Sequence, residues 1–340
     1  MKRLYIIGNG FDLFFDLPTT TDDFCKELDK IIVKDNESAR TVFESHGVDW
    51  SIYETGLSKL DLEDVSEDVV ESPSLLAEHQ YEVDEVILKV KNYTEQLLDA
   101  KNQALINMVK NSEKIIDNIK DYSFPEFFSS ENDEIISFNY TSTIESLFNY
   151  NRRVFHIHGY YKGGNNLIFG YGKESDSFYS FCSKLNSKVD SCRSNEIERI
   201  INDSTLTAEE KVEKRQYVEK YYEQYPWNDY EIDKQYEILV SFYCANKKQK
   251  QLERLEEYLR GLEDINEIVV LGQGMGEVDH DYFCLIDKYI NPIKWIVSAK
   301  DYSSINGVKS ICDKYPFKDK ITIRTMKDIL GIYNCKNYSN

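Results

Sequence analysis

Three short stretches, far apart in the chain, carry the residue types that nucleotide chemistry needs: Gly8-Asn9-Gly10-Phe11-Asp12, Phe138-Asn139-Tyr140-Thr141 and His156-Ile157-His158-Gly159. Glycines at a turn let the backbone approach a ligand closely, and amides there can hold a pyrophosphate. The same Gly8-Asn9-Gly10 pattern also serves as a plain strand-to-loop turn. Asp12 reads either as a ribose ligand or as a loop cap. Asn139 offers an amide donor and a carbonyl acceptor, suited to fixing a ribose hydroxyl or a water, or to an Asx turn opening the next helix. Tyr140 and Thr141 stand beside it. His158, immediately before Gly159, is placed for proton transfer near neutral pH. His156, two residues earlier, falls on the same side of an extended strand and reads as a wall of the same pocket. A zinc site is not indicated, because zinc takes three or four protein ligands and no carboxylate or thiol accompanies the two imidazoles. A second glycine turn, Gly272-Gln273-Gly274-Met275-Gly276, leads into Asp279-His280. Gln273 there can bond a base or ribose, and Asp279 can cap a helix.

Each of these stretches follows an apolar run. Leu4–Ile7, Ile135–Phe138, Val154–Ile157 and Ile268–Leu271 read as strands of a parallel sheet covered on both faces. Leu167–Phe169, Trp295–Val297 and Ile321–Ile323 are further strand candidates. Ligands in open α/β sheets bind beyond the carboxyl ends of strands, so the elements place the chemistry at one edge. Pro18 and Thr19-Thr20-Thr21-Asp22-Asp23 supply N-cap candidates for a helix to about Val33. Residues 74–121 have helical apolar spacing with no glycine and no internal proline. Residues 61–71 form a dense carboxylate run that reads as a solvated face. Residues 173–264 read as helices, with Tyr217, Tyr221, Tyr222, Tyr225, Tyr230 and Tyr236 clustered as a packing face or a partner interface. The expected organisation is a discontinuous α/β domain (1–34, 122–172, 265–340) interrupted by two helical insertions, 35–121 and 173–264.

The 340 residues carry 60 acidic against 41 basic side chains, a formal net charge of −19. That charge repels a phosphate backbone at long range, so non-specific nucleic-acid binding is not expected. Seven scattered cysteines without a C-x-x-C pair read as reduced thiols of a cytoplasmic protein. No apolar run reaches the roughly 18 residues of a membrane span.

The stretches resemble the AbiH family of bacterial abortive-infection (anti-phage) proteins. The likeness rests on Ile6 through Leu13 with Leu17-Pro18-Thr19, on Ser137 through Thr141, on His156 through Gly159, on Ile168-Phe169-Gly170 and on Leu271 through His280. Where that family often carries histidines, this chain has Phe15 and Gln273. The block order is also similar, at fold level, to sirtuin-like NAD-binding domains. That similarity implies a Rossmann-like, mostly parallel sheet with NAD as ligand or substrate; on the residues themselves, no metal is expected. It implies Gly8 and Gly10 at the phosphates, Asn139 at the ribose or attacking water, His158 as base and Gly272 to Gly274 near the adenosine half. The paired C-x-x-C units of the sirtuin zinc ribbon are missing, which turns the expectation from protein deacylation to hydrolysis of NAD. Two other readings stay open: a non-catalytic nucleotide-binding sensor or scaffold, with a homo-oligomer or defence partner on the tyrosine-rich insertion, and a nuclease.

Overall fold

The computed structural model describes residues 2–52, 54–71, 80–119, 127–128, 133–148, 150, 152–164, 166–203, 205–224 and 230–331. The chain divides into two compact units, one of Met1–Ile31, Lys101–Gly172 and Lys248–Asn340, the other of Ile32–Ala100 and Lys173–Lys247.

The first unit is an α/β structure around a six-stranded parallel sheet: β1 Lys2–Ile7, β2 Asp133–Ser137, β3 Phe155–His156, β4 Ile265–Leu271, β5 Lys294–Ala299 and β6 Ile321–Thr325. The spatial order is β3-β2-β1-β4-β5-β6. The chain thus builds outward from β1 on one side, then returns to build outward on the other. Loops that leave β1 and its two neighbours share one edge, and this reversal point is where open α/β sheets bind ligands. Register fixes the edge: Ile7 lies opposite Ser137 on β2 and Leu271 on β4.

Both faces are covered, as continuous apolar runs require. Leu4, Ile6, Ile136, Ile268 and Val270 pack with Leu255, Leu259, Tyr282, Phe283 and Trp295 on one face. Tyr5, Ile7, Ile135, Val269 and Leu271 pack with Phe11, Ile116, Phe128, Ile144 and Phe148 on the other. Through Ile116, Leu255 and Leu259, residues 101–119 and 248–264 belong with the sheet, although the sequence reading places them in the insertions.

Several local expectations are corrected. The helix after Pro18 spans only Thr21–Leu28, with Thr20 and Asp23 forming a capping box. Residues 32–34 instead pair antiparallel with 37–38 in the second unit. Only Phe155 and His156 pair in the third strand, because a turn begins at Ile157. Leu167–Phe169 is no strand. It meets the sheet's end through Ile168 N–H donating to the His158 carbonyl at 2.8 Å.

Among its described residues, the regular structure of the second unit is helical apart from that small hairpin. Helices Ala39–Ser45 and Leu62–Val69 bury Val42, Phe43, Leu62, Val65 and Val69. Glu63, Asp64, Glu67 and Asp68 of the carboxylate run face outward, as an amphipathic helix demands. Helices Asp176–Asn202, Ala208–Gln224 and Tyr230–Ala245 follow. Of the tyrosine cluster, Tyr236 packs against Phe181 and Tyr217 is 71% exposed. The side chains of Tyr221, Tyr222 and Tyr230, and all of Tyr225, lie outside the described residues. Cys182, Cys244, Cys284 and Cys312 are free thiols. Among the described residues, no helix is long and apolar enough to cross a membrane.

Candidate functional site at the carboxyl edge of the sheet

The loops after β1 and β4 leave the sheet side by side and lock onto each other. Gly8 N–H donates to the Leu271 carbonyl at 2.9 Å, Gly10 N–H to the Gly272 carbonyl at 2.7 Å and Phe11 N–H to the Gly8 carbonyl at 2.8 Å. A Cβ on Gly8 would stand 2.6 Å from Cα of Gln273, and one on Gly10 would stand 2.9 Å from Cα of Gly272. Gly272 itself has φ +68°, and its Cβ would fall on the Phe11 nitrogen. The close approach these glycines permit is therefore between two loops. Their amides serve that contact, which removes Gly8 and Gly10 N–H as phosphate donors in this conformation. Asn9 is exposed, with its Nδ2 donating to the Thr19 carbonyl at 2.8 Å. Gly274 and Gly276 face open space.

The loop after β2 is tied to the first glycine turn. Phe138 N–H donates to the Ile7 carbonyl at 2.8 Å, and Asn139 Nδ2 to the Gly8 carbonyl at 3.1 Å. Asp12 lies in the short helix Asn9–Phe14 and is 1% exposed. Thr141 and Thr143 each donate a hydroxyl hydrogen bond to it at 2.7 Å, and Asn139 bonds it too. Burial outweighs these donors and pushes the Asp12 carboxyl up to about 6. Asp12 is thus an internal tie between two loops. Ser142 stands at the N-cap of helix Thr143–Leu147 without a side-chain cap hydrogen bond: its hydroxyl donates to buried Glu113 at 2.6 Å, which also pairs with Lys162 at 2.7 Å. Tyr140 donates its hydroxyl to the Ile168 carbonyl at 2.7 Å.

The two histidines do not share a side. The turn at Ile157 breaks strand alternation, so each ring has its own neighbours. His156 stacks on Tyr160, with Nδ1 at 3.2 Å from the Asn139 carbonyl and Nε2 at 2.7 Å from Glu145. His158 lies edge-on to Phe138 and beside Tyr282 and is 3% exposed. Its Nε2 has no hydrogen-bond partner. The remaining ring nitrogen, Nδ1, therefore makes the hydrogen bond to the Phe138 backbone. The Phe138 N–H is already used, so Nδ1 carries the proton and donates to the carbonyl. Burial first, and the Lys248 charge second, hold the imidazole well below its ordinary pKa.

Asp279 closes this cluster. It is buried, receives Lys248 Nζ at 3.1 Å and Gln273 Nε2 at 2.9 Å, and places Oδ1 3.8 Å from His158 Nε2. Its side chain makes no cap hydrogen bond to the helix it begins, because the carboxylate is drawn inward to the lysine. Gln273 is also turned inward, its Oε1 accepting from Met275 N–H at 3.0 Å. The structure thus brings Gly8, Gly10, Asp12, Asn139, Thr141, His158, Gly272 and Gln273 into two adjoining networks at one sheet edge.

Sequence reasoning missed Lys248, Glu113 and Thr143. Lys248 sits in Lys247-Lys248-Gln249-Lys250, a run that reads as solvated charge. Among the described residues, no group of three or more His, Cys, Asp or Glu is disposed to hold a metal ion.

A family model described as bacteriophage abortive infection AbiH matches residues 4–299. The chain belongs to this family, and the match takes in every loop described above. No curated protein and no solved structure matches the chain.

Proposed function

We propose that this member of the abortive-infection family acts by binding NAD or a related adenine nucleotide at the carboxyl edge of its sheet and hydrolysing the nicotinamide–ribose bond. The strand order β3-β2-β1-β4-β5-β6 is that of doubly wound, Rossmann-like dinucleotide-binding sheets, which supports a sirtuin-like placement of the ligand. The observation that carries the chemistry is the unpartnered, buried Nε2 of His158 at the mouth of that edge. Held below its ordinary pKa, the imidazole stays neutral at neutral pH, so its open nitrogen is available to accept a proton during the chemical step. In the proposed step, water forms a bond to the ribose C1′ and the C1′–nitrogen bond breaks. Nicotinamide leaves with the bonding pair, and the water's proton passes to His158. Asn139 has its two amide hydrogens committed to Gly8 and Asp12, so it would meet ribose or water through Oδ1 as an acceptor. Phosphates would lie against Asn9 and the open Gly274–Gly276 stretch.

The test is nicotinamide release from NAD⁺ by purified protein, alone and after exposure to phage-infected extract, with His158→Ala as control. Release lost in the variant supports the reading; none from the wild type in either state refutes hydrolysis. One observation favours the sensor reading instead: Asn139 and His158 are 6% and 3% exposed, a closed arrangement. A sensor gives NAD-dependent thermal stabilisation that His158→Ala leaves unchanged, with no product.

A further inference from the structure

The His158 ring is buried beside a carboxylate and yet does not bond it. Asp279 Oδ1 is 3.8 Å from Nε2, beyond hydrogen-bonding distance, while the same oxygen receives Lys248 Nζ at 3.1 Å. The other oxygen receives Gln273 at 2.9 Å. Lys248 is itself buried, its backbone N–H donating to the Tyr171 carbonyl at 2.8 Å. We propose that Lys248 is a positioning residue for His158: by pairing with Asp279 it holds the carboxylate off Nε2 and keeps that nitrogen an open proton acceptor.

Two arrangements of these three side chains compete. A buried carboxylate left beside an imidazole pairs with it and favours its protonation by solvent, since an opposite charge within about 4–6 Å favours the charged form by roughly 1–3 pKa units. A buried imidazolium–carboxylate pair accepts no further proton and is useless as a base. The ammonium of Lys248 prevents this twice over, by occupying Oδ1 and by repelling positive charge on the ring. The charged groups facing the ring are Asp279 and Lys248; Phe138 contributes a carbonyl and Tyr282 an aromatic face. The proposal rests on reading His158 as the proton acceptor, but its test needs no substrate. A wrong ring state and absent turnover are thereby told apart.

The chain has five histidines, few enough to resolve by long-range proton–nitrogen correlation NMR on protein labelled with nitrogen-15 histidine, assigned with His158→Gln. At pH 7 the wild type is expected to show His158 with Nδ1 protonated and Nε2 bare; a proton on Nε2 overturns the proposal. Lys248→Met is expected to raise the proton-binding constant of the ring by about tenfold or more, and adding Asp279→Asn is expected to cancel most of that rise. If Lys248→Met does not fold, Lys248→Gln keeps a donor at the position while removing the charge, and the same direction is expected. An unchanged titration midpoint in the folded lysine variant, or an equal rise without the carboxylate, overturns it.

Discussion

Replacing Asp12 by asparagine isolates what its burial does to folding. Asp12 accepts only from neutral donors, the Thr141 and Thr143 hydroxyls and the Asn139 amide. Its carboxyl is raised from 3.8 to about 6, with desolvation as the leading cause. Below the lower value both folded and unfolded chains hold the proton, and the group adds no pH dependence. Between the two values the unfolded chain releases it while the folded chain keeps it, so stability falls as pH rises. Above about 6 both are ionised and the loss is complete. A shift of about 2 units is worth ~3 kcal/mol at full effect, with no solvent screening to discount at this burial. The amide of the Asp12→Asn variant cannot ionise. The Thr141 and Thr143 hydroxyls lie 3.0 Å apart, so one can turn to bond the other and accept from the new amide. Any fixed offset from that rearrangement is present at every pH and cancels from the comparison. Urea unfolding of wild type and Asp12→Asn should therefore give a stability difference that moves in favour of the variant by ~2 kcal/mol between pH 4 and pH 7. A difference that stays flat, or moves towards the wild type, refutes the assignment of a proton-holding carboxyl.

The two glycine turns supply a paired test. Gly272→Ala combines a positive φ, costing roughly 1–2 kcal/mol, with a Cβ on the Phe11 backbone nitrogen that no rotamer change relieves; urea unfolding should show a loss of ~3 kcal/mol or more. Gly274→Ala enters open space and should stay within about 0.5 kcal/mol of wild type. Thr20→Ala removes the capping box of helix Thr21–Leu28 and should lower unfolding free energy by about 1 kcal/mol; a loss below a few tenths would show that the cap contributes little.

Much of the sheet was readable because short, β-branched apolar runs suit strands covered on both faces. Leu4–Ile7, Ile268–Leu271, Trp295–Val297 and Ile321–Ile323 all lie within observed strands. The meeting of these stretches at one sheet edge was readable, their side-chain orientation less so. His156 and His158 obey strand alternation only while the strand lasts, and pairing stops at His156. The glycines announced a close approach without naming the partner; it is the neighbouring turn. Asp279 read as a helix cap and Gln273 as a base or ribose contact, because the partner of the aspartate, Lys248, is 31 positions away and hidden in a charged run. Long-range ion pairs leave no periodicity, so no local pattern reports them.

Asp12 and Asp279 are both buried carboxylates at one sheet edge, and the difference in their partners separates their roles. Asp12 meets hydroxyls and an amide, which cannot neutralise it, so it drifts towards the protonated form and serves as a tie between the turns after β1 and β2. Asp279 meets an ammonium, and that pairing leaves the adjacent imidazole without a carboxylate of its own. Burial acts on the imidazole in the opposite sense, disfavouring its cation. One edge thus holds an acid displaced upward and a base displaced downward, each by environment alone, which is the pattern expected where proton transfer is separated between groups. Losing the lysine would narrow that separation while leaving the sheet, the glycine lock and Asp12 in place.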